Sequence, residues 1–347
     1  MKSIISGLER FMKLTIPGLG RWSIPLVVAI VVLAVLPQVG MPRAWITYLF
    51  QFFMILTVAN MWSLHAGRSG MITLCLAAFI GLAGYTMTIG SYFGIPIPLG
   101  IVLGAIVAAV FAFLVFFPVY RLKGVYFAIA TLVLPQILQY VFLIWDPVGI
   151  PRIGGGAGYA VRGAMLFSRV DVYWMALAVA ALSMIVILVV SNSKLGLGLG
   201  AIRDNDNAAA SSGVDVFRLK LYSFIIGAFI VGLAGGVLYL RSQYIQPIGA
   251  FNITWQMTAI LAAVIGGLRI QGGPIVGAII VTILYFWLQG YPGYSMLAQG
   301  MILVVIMLAI PQGIVGAIGR LRGTRVHRAT LQLATSIAGR IKGKGNM

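Results

Sequence analysis

Inside the long apolar stretches of this sequence the strongest hydrogen-bonding side chains are neutral, among them Asn60, Thr73, Thr131, Gln136, Gln139 and Gln256. Amides and hydroxyls donate and accept hydrogen bonds but do not ionise near neutral pH, so they order a polar solute or join helices rather than move protons. Thr131, Pro135 and Gln139 fall at i, i+4 and i+8 on one helix face, with Gln136 beside them. Two readings stay open for this set: the wall of a polar pathway, or interhelical bonds each worth about 0.6 kcal/mol. A second constellation is charged and lies between apolar stretches. Arg203, Asp204 and Asp206 precede the small-residue run that holds Ala208, Ala209 and Gly213, with Asp215, Arg218 and Lys220 following.

The chemistry missing from the sequence is as informative. No Asp or Glu lies within an apolar stretch, Cys75 is the sole cysteine, and the two histidines, His65 and His327, fall at a span edge and in the tail. There is no Walker A motif, no G-x-S-x-G, no H-E-x-x-H and no cysteine pair. A catalytic site, a metal centre and an intrachain disulfide are therefore not expected. A carrier driven by a proton or sodium gradient commonly uses an intramembrane carboxylate, so its absence points to an energy source outside this chain. Cys75 reads as a small core residue.

The elements that must position these groups are set by hydrophobicity. Charged residues make up 9% of the 347, hydrophobic residues 61%, and the mean hydropathy is +1.04; a soluble domain carries about 25% charged residues. Ten stretches free of Asp, Glu, Lys and Arg lie near residues 24–40, 45–64, 72–92, 97–117, 125–145, 172–191, 221–240, 250–268, 274–290 and 295–311. Each approaches the length that crosses a bilayer as a helix. The fold class is thus an all-α polytopic membrane protein of about ten transmembrane or re-entrant helices. The net charge of +18 gathers at span ends. With the amino terminus inside, only Arg43, Arg152, Arg162, Arg169 and Arg241 fall outside, so the positive-inside rule places both termini in the cytoplasm. Nucleic acid is not an expected partner, because topology and the anionic lipid surface of the bilayer account for the basic residues.

The chain divides into a cytoplasmic or interfacial amino-terminal segment, 1–23, a transmembrane domain, 24–319, and a basic cytoplasmic tail, 320–347. Residues 1–23 resemble a signal peptide but show no persuasive cleavage site, and read as leading into an uncleaved first helix. Two connections stand out within the domain. Residues 146–171 are turn-rich and form an extracytoplasmic cap; residues 192–220 form a cytoplasmic loop with a short amphipathic or surface helix. The tail either lies on the inner leaflet or is solvated. Gly100 and Gly104, Gly232 and Gly236, and Gly273 and Gly277 have the small-xxx-small spacing that brings helices close. The stretch between Pro247 and Pro274 is short and punctuated by glycine, which fits a re-entrant or discontinuous helix as well as an ordinary span with irregular ends.

Several strings together resemble the LivM-type permeases of branched-chain amino acid ABC transporters, over roughly residues 45–316. They are Gly67 to Tyr85, departing from the family pattern at Cys75 and Leu76; Leu122 to Leu132; Gly154 to Gly158; Gly266-Gly267 with Gly273-Pro274 and Gly277-Ala278; and Pro311-Gln312-Gly313. The run from Ala201 to Val214 is the most diagnostic. It resembles the loop that family members press into a groove of an ATPase. The resemblance implies an importer permease, without an ATPase site of its own, in the bacterial inner membrane. It also implies a complex with a second homologous permease, two ATP-binding cassette subunits and an extracytoplasmic substrate-binding protein. ATP, bound by the partners, is the only cofactor implied. Arg203, Asp204, Asp206, Ala208, Ala209 and Gly213 would then couple this chain to the ATPase. The cargo implied is branched-chain or other amino acids. Where many relatives have an acid and a base, Gln136 and Gln139 are amides: either a neutral pair replaces an ion pair, or the cavity takes a different zwitterion or a urea-like amide. A secondary carrier or channel is the competing class.

Overall fold

The computed structural model describes residues 23–122, 124–145, 156–268, 270, 272–288, 292–309 and 313–317. Residues 1–22, 146–155 of the cap, Pro311-Gln312 and the tail segment 320–347 lie outside them. The described chain is helical apart from short connections, one two-stranded ladder and one irregular segment.

Each of the ten apolar stretches overlaps a helix among the described residues. In chain order the long ones are α1 (Ser23–Val35), α2 (Arg43–Trp62), α3 (Leu76–Tyr92), α4 (Ile97–Tyr120), α5 (Val125–Ile144) and α6 (Arg169–Ser191). Two short helices follow, α7 (Lys194–Asp204) and α8 (Asp206–Ser211), and then α9 (Val216–Ser242). The broken α10 (Pro247–Ala250) and α11 (Thr254–Gly266), then α12 (Gly273–Leu288) and α13 (Pro292–Ala309), complete the order. Seven helical spans among the described residues are long and apolar enough to cross a membrane, and three apolar helices are shorter.

Caps concentrate where the chain leaves the apolar layer. Ser168 and Asp171 form a reciprocal capping box that starts α6, and Asp215 accepts the Arg218 N–H at the start of α9. These side chains take up amide protons left without carbonyl partners in a first helical turn.

Helix α9 is the axis of the bundle. It packs on α3 and α4, and 72% of its most apolar window is buried. Glycine sets the distances there: a Cβ on Gly104 would stand 2.5 Å from the Ala83 carbonyl oxygen, and one on Gly232 would stand 2.9 Å from Ala105 Cα. A second group joins α2 to α6, α11 and α12. By contrast α5 is only 17% buried over its window, through Phe127, Thr131 and Pro135. At the end of the bundle opposite α7 and α8, β1 (Tyr159–Ala160) pairs antiparallel with β2 (Tyr244–Ile245), tying the cap to the end of α9. That ladder is a small addition to the all-α expectation.

The structure departs from the expected spans in one place that matters for function. The stretch 72–92 is not helical throughout. After α2 the chain winds through a wide turn, Ser63–Arg68, with i to i+5 bonding, runs without regular structure from Ser69 to Cys75, and becomes helical only at Leu76. Hydrophobicity could not show this, because two of the side chains that satisfy this backbone, Thr131 and Gln256, lie on helices distant in sequence. The break anticipated between Pro247 and Pro274 takes the discontinuous form: the helix is interrupted after Ala250, and Asn252 Oδ1 accepts both the N–H and the hydroxyl of Thr254 before α11 begins.

Candidate functional site

Backbone buried without a helix needs side-chain partners, since an unpaired buried amide costs roughly 1–3 kcal/mol. The irregular segment Ser69–Cys75 finds them on three helices. The Thr73 carbonyl accepts from Trp62 Nε1 on α2 at 2.9 Å and from Gln256 Nε2 on α11 at 3.1 Å. Gln256 Oε1 in turn accepts the Leu76 N–H at 3.0 Å. The Leu74 N–H donates to Thr131 Oγ1 on α5 at 3.0 Å, while that hydroxyl is within reach of the Phe127 and Ala128 carbonyls.

His65 completes the cluster. Its Nε2 stands 3.2 Å from the Ser223 carbonyl on α9, an acceptor only, so in the neutral ring Nε2 carries the proton. Nδ1 is then left to accept the Thr73 hydroxyl at 3.0 Å. Thr73, Thr131 and Gln256, three of the polar residues singled out in the sequence, thus meet around one segment and are fully buried. Trp62 and His65 were not legible as members. The signal that could have found them is their i, i+3 spacing at the end of an apolar span. Trp62→Phe removes one of two donors to the Thr73 carbonyl and is expected to lower stability by about 1 kcal/mol, read as a fall in melting temperature in detergent.

The remaining polar candidates lie elsewhere. Asn60 Nδ2 donates to Ser183 Oγ at 3.0 Å, joining α2 to α6, and its Oδ1 is buried without a partner. Gln136 is exposed and Gln139 partly so on the poorly covered α5, flanked by exposed Val133, Ile137 and Tyr140. Gln289 lies outside the described residues.

The charged constellation forms a compact hairpin of helices. Helix α7 buries Leu199 and Ile202 against the bundle, and the chain turns at Asn205, whose Oδ1 accepts the N–H groups of Asn207 and Ala208 to start α8. Charges face the chain itself: Lys220 pairs with Asp206 at 2.5 Å, Arg203 with Asp204 at 2.8 Å, and Arg218 with Asp215 at 3.0 Å. Arg203 also donates from Nη1 to the Gly67 carbonyl at 3.3 Å. Ala209 points inward and is buried, whereas Ala208, Ala210 and Gly213 are exposed, Gly213 with φ of 83°. A cavity of about 360 Å³ opens between this hairpin, the start of the irregular segment and the turn from α4 to α5, lined by residues including Gly70, Tyr120, Arg121, Arg203, Asp206 and Lys220.

Among the described residues no three His, Cys, Asp or Glu side chains come together as a metal site. What the arrangement offers is a rigid bundle, a broken buried segment, and a charged hairpin bonded to it.

The family model for the permease component of branched-chain amino acid transport systems matches residues 44–311. The chain is 26% identical over 278 residues to the high-affinity branched-chain amino acid transport system permease protein LivM of Salmonella typhimurium, covering 72% of this chain and 64% of that protein. The Escherichia coli LivM gives 26% over 274 residues with the same coverages. The ribose import permease protein RbsC of Haemophilus influenzae is 28% identical over 113 residues, 29% of this chain and 34% of that protein. The chain therefore spans about 64% of the length of the two LivM relatives. No solved structure matches.

Proposed function

The chain belongs to the permease component family of branched-chain amino acid transport systems, and from that premise we propose that it forms part of the translocation pathway of an ATP-binding-cassette importer in a bacterial inner membrane. It would act with a second homologous permease, two ATPase subunits and an extracytoplasmic binding protein, with both termini and the hairpin 192–220 in the cytoplasm. The observation that carries this reading is the hairpin: a short helix with exposed small residues at its apex, tied to the bundle by the Asp206–Lys220 pair and by the bond from Arg203 to the Gly67 carbonyl. Such a shape can enter a groove as a knob while the ion pairs hold its base.

The pathway would run along the open face of α5. An amide facing hydrocarbon costs a few kcal/mol when unpaired, so Gln136 and Gln139 on this poorly covered helix are better placed against water or a facing permease than against lipid. The cargo in this reading is a branched-chain or other amino acid. The similarity to a ribose permease shows that related chains serve different solutes, and the two amides keep a urea-like amide open as an alternative.

Purified complex in proteoliposomes, with binding protein supplied outside and ATP inside, tests the reading. Labelled leucine, isoleucine, valine, other amino acids and urea form the panel. ATP-dependent accumulation of one solute supports it; accumulation driven by a proton or sodium gradient without ATP would favour a secondary carrier and overturn it. In the same assay Gln136→Leu is expected to lower the uptake rate about tenfold, the equivalent of roughly 1.4 kcal/mol in the transport barrier.

A further inference from the structure

Among the described residues the hairpin packs on α6, α9 and the turn Ser63–Arg68 and not extensively on α5, so a displacement of the first needs a carrier to reach the second. We infer that the non-helical segment Ser69–Cys75, together with Gly67 just before it, is that carrier, a strap joined to the hairpin through Arg203 and to α5 through Thr131. Thr73, Thr131 and Gln256 are then positioning residues that transmit movement, not wall residues that touch the solute. This inference rests on the ATP-driven reading above.

Three observations carry it. At the hairpin end, Arg203 donates to the Gly67 carbonyl at 3.3 Å, just before the strap, and lies beside Gly70, where an added Cβ would stand at ordinary contact distance, 3.4 Å, from Arg203 Cα. Movement of α7 therefore reaches the start of the strap through this bond and this neighbour. The strap is non-helical, and its buried Thr73 carbonyl and its part-buried Leu74 N–H are bonded to side chains, so water cannot replace a lost partner there without a rearrangement.

The third observation is an asymmetry in the joints. On the side of α2 and α11 the strap is held by two bonds to the Thr73 carbonyl, from Trp62 and Gln256, and a third, from the Leu76 N–H to Gln256, fixes the start of α3 where the strap ends. On the side of α5 it is held by the single bond from the Leu74 N–H to Thr131. Helix α5 is also weakly buried, and it starts after Gly124, which sits at φ of 58° with open space around it. Under load the single joint, on the less buried neighbour, is the one that changes. Packed elements of this kind pass between discrete arrangements rather than deform smoothly. The strap thus offers a bonded and a released state of α5, selected from the hairpin.

The test uses the complete reconstituted complex and reads the ATP hydrolysed per solute accumulated. Thr131→Val keeps the shape of the side chain and removes the acceptor; Arg203→Met cuts the other end. Each is expected to raise the ratio about fivefold, a modest allosteric coupling, and Thr131→Ser is expected to restore it. The double variant is expected to be no worse than the worse single one, because both cut one line in series. A wild-type ratio in Thr131→Val, or single effects that multiply in the double variant, would overturn the inference. So would an equal loss in Thr131→Ser and Thr131→Val. If Thr131→Val fails to reach the membrane, a wild-type ratio in Arg203→Met with ATPase still bound overturns it alone. Failure of the proposed function is distinguishable, since the unmutated complex would then show no ATP-driven uptake.

Discussion

Ala208→Trp is expected to abolish ATP-driven uptake while leaving the protein folded and inserted. Ala208 lies on the exposed side of α8, where its N–H is held by Asn205, so a larger side chain points away from the described residues. A groove shaped for a small-residue helix cannot take an indole without moving, and a substitution at the centre of an interface commonly costs 2 kcal/mol or more, a loss of affinity of about 30-fold. Co-purification of the ATPase subunits is expected to fall with uptake, while the melting temperature of the permease stays the same. Ala209→Trp serves as the contrast. Ala209 is buried against the chain itself, so this variant is expected to lower the melting temperature as well. Normal uptake in Ala208→Trp would remove the hairpin from the ATPase interface.

The contrast between adjacent alanines marks where sequence reading stopped. The segment 192–220 was identifiable from its charge and small-residue composition, and a surface helix was anticipated there. Which alanine faces out depends on Leu199 and Ile202 packing on the bundle and on Lys220 reaching Asp206, fourteen positions away. The ten apolar stretches were legible because lipid leaves the backbone little choice but helix. The irregular segment at Ser69–Cys75 was not, because its stability comes from Trp62, Thr131 and Gln256, which converge only after folding. An apolar run of about twenty residues looks the same whether its first residues are helical or held out of a helix by distant side chains. For the same reason Thr73, Thr131 and Gln256 were visible as polar residues in apolar surroundings, yet their shared target could not be read. Gln136 and Gln139 fell on α5 as expected, and their openness follows from how little of that helix the rest of the chain covers.

Gly277→Ala is expected to be the most damaging glycine-to-alanine change among the described residues. A Cβ on Gly277 would stand 1.7 Å from the Ala262 carbonyl oxygen and 2.7 Å from its carbon, backbone atoms of α11 that no rotamer change can move. Gly266 and Gly273 have the same intolerance, with a Cβ falling 1.9 Å from the Gly273 oxygen and 2.2 Å from the Gly267 oxygen respectively. Helices α11 and α12 therefore touch backbone to backbone over this stretch, and adding one methyl separates them along their contact. Overpacking in a well-packed core ordinarily costs about 1–3 kcal/mol through side-chain adjustment; here a whole helix must shift, so the expected cost exceeds about 3 kcal/mol. Since α11 carries Gln256, the shift would also draw the amide away from Thr73 and Leu76. The expected result is loss of the monodisperse species on size-exclusion chromatography in mild detergent and a large fall in melting temperature. Gly300→Ala, on α13 with nothing within 4 Å of the added carbon, is expected to behave as the unmutated chain or slightly better, because alanine costs less backbone entropy in a helix. Equal behaviour of the two variants would show that α11 and α12 are not packed this closely in the membrane.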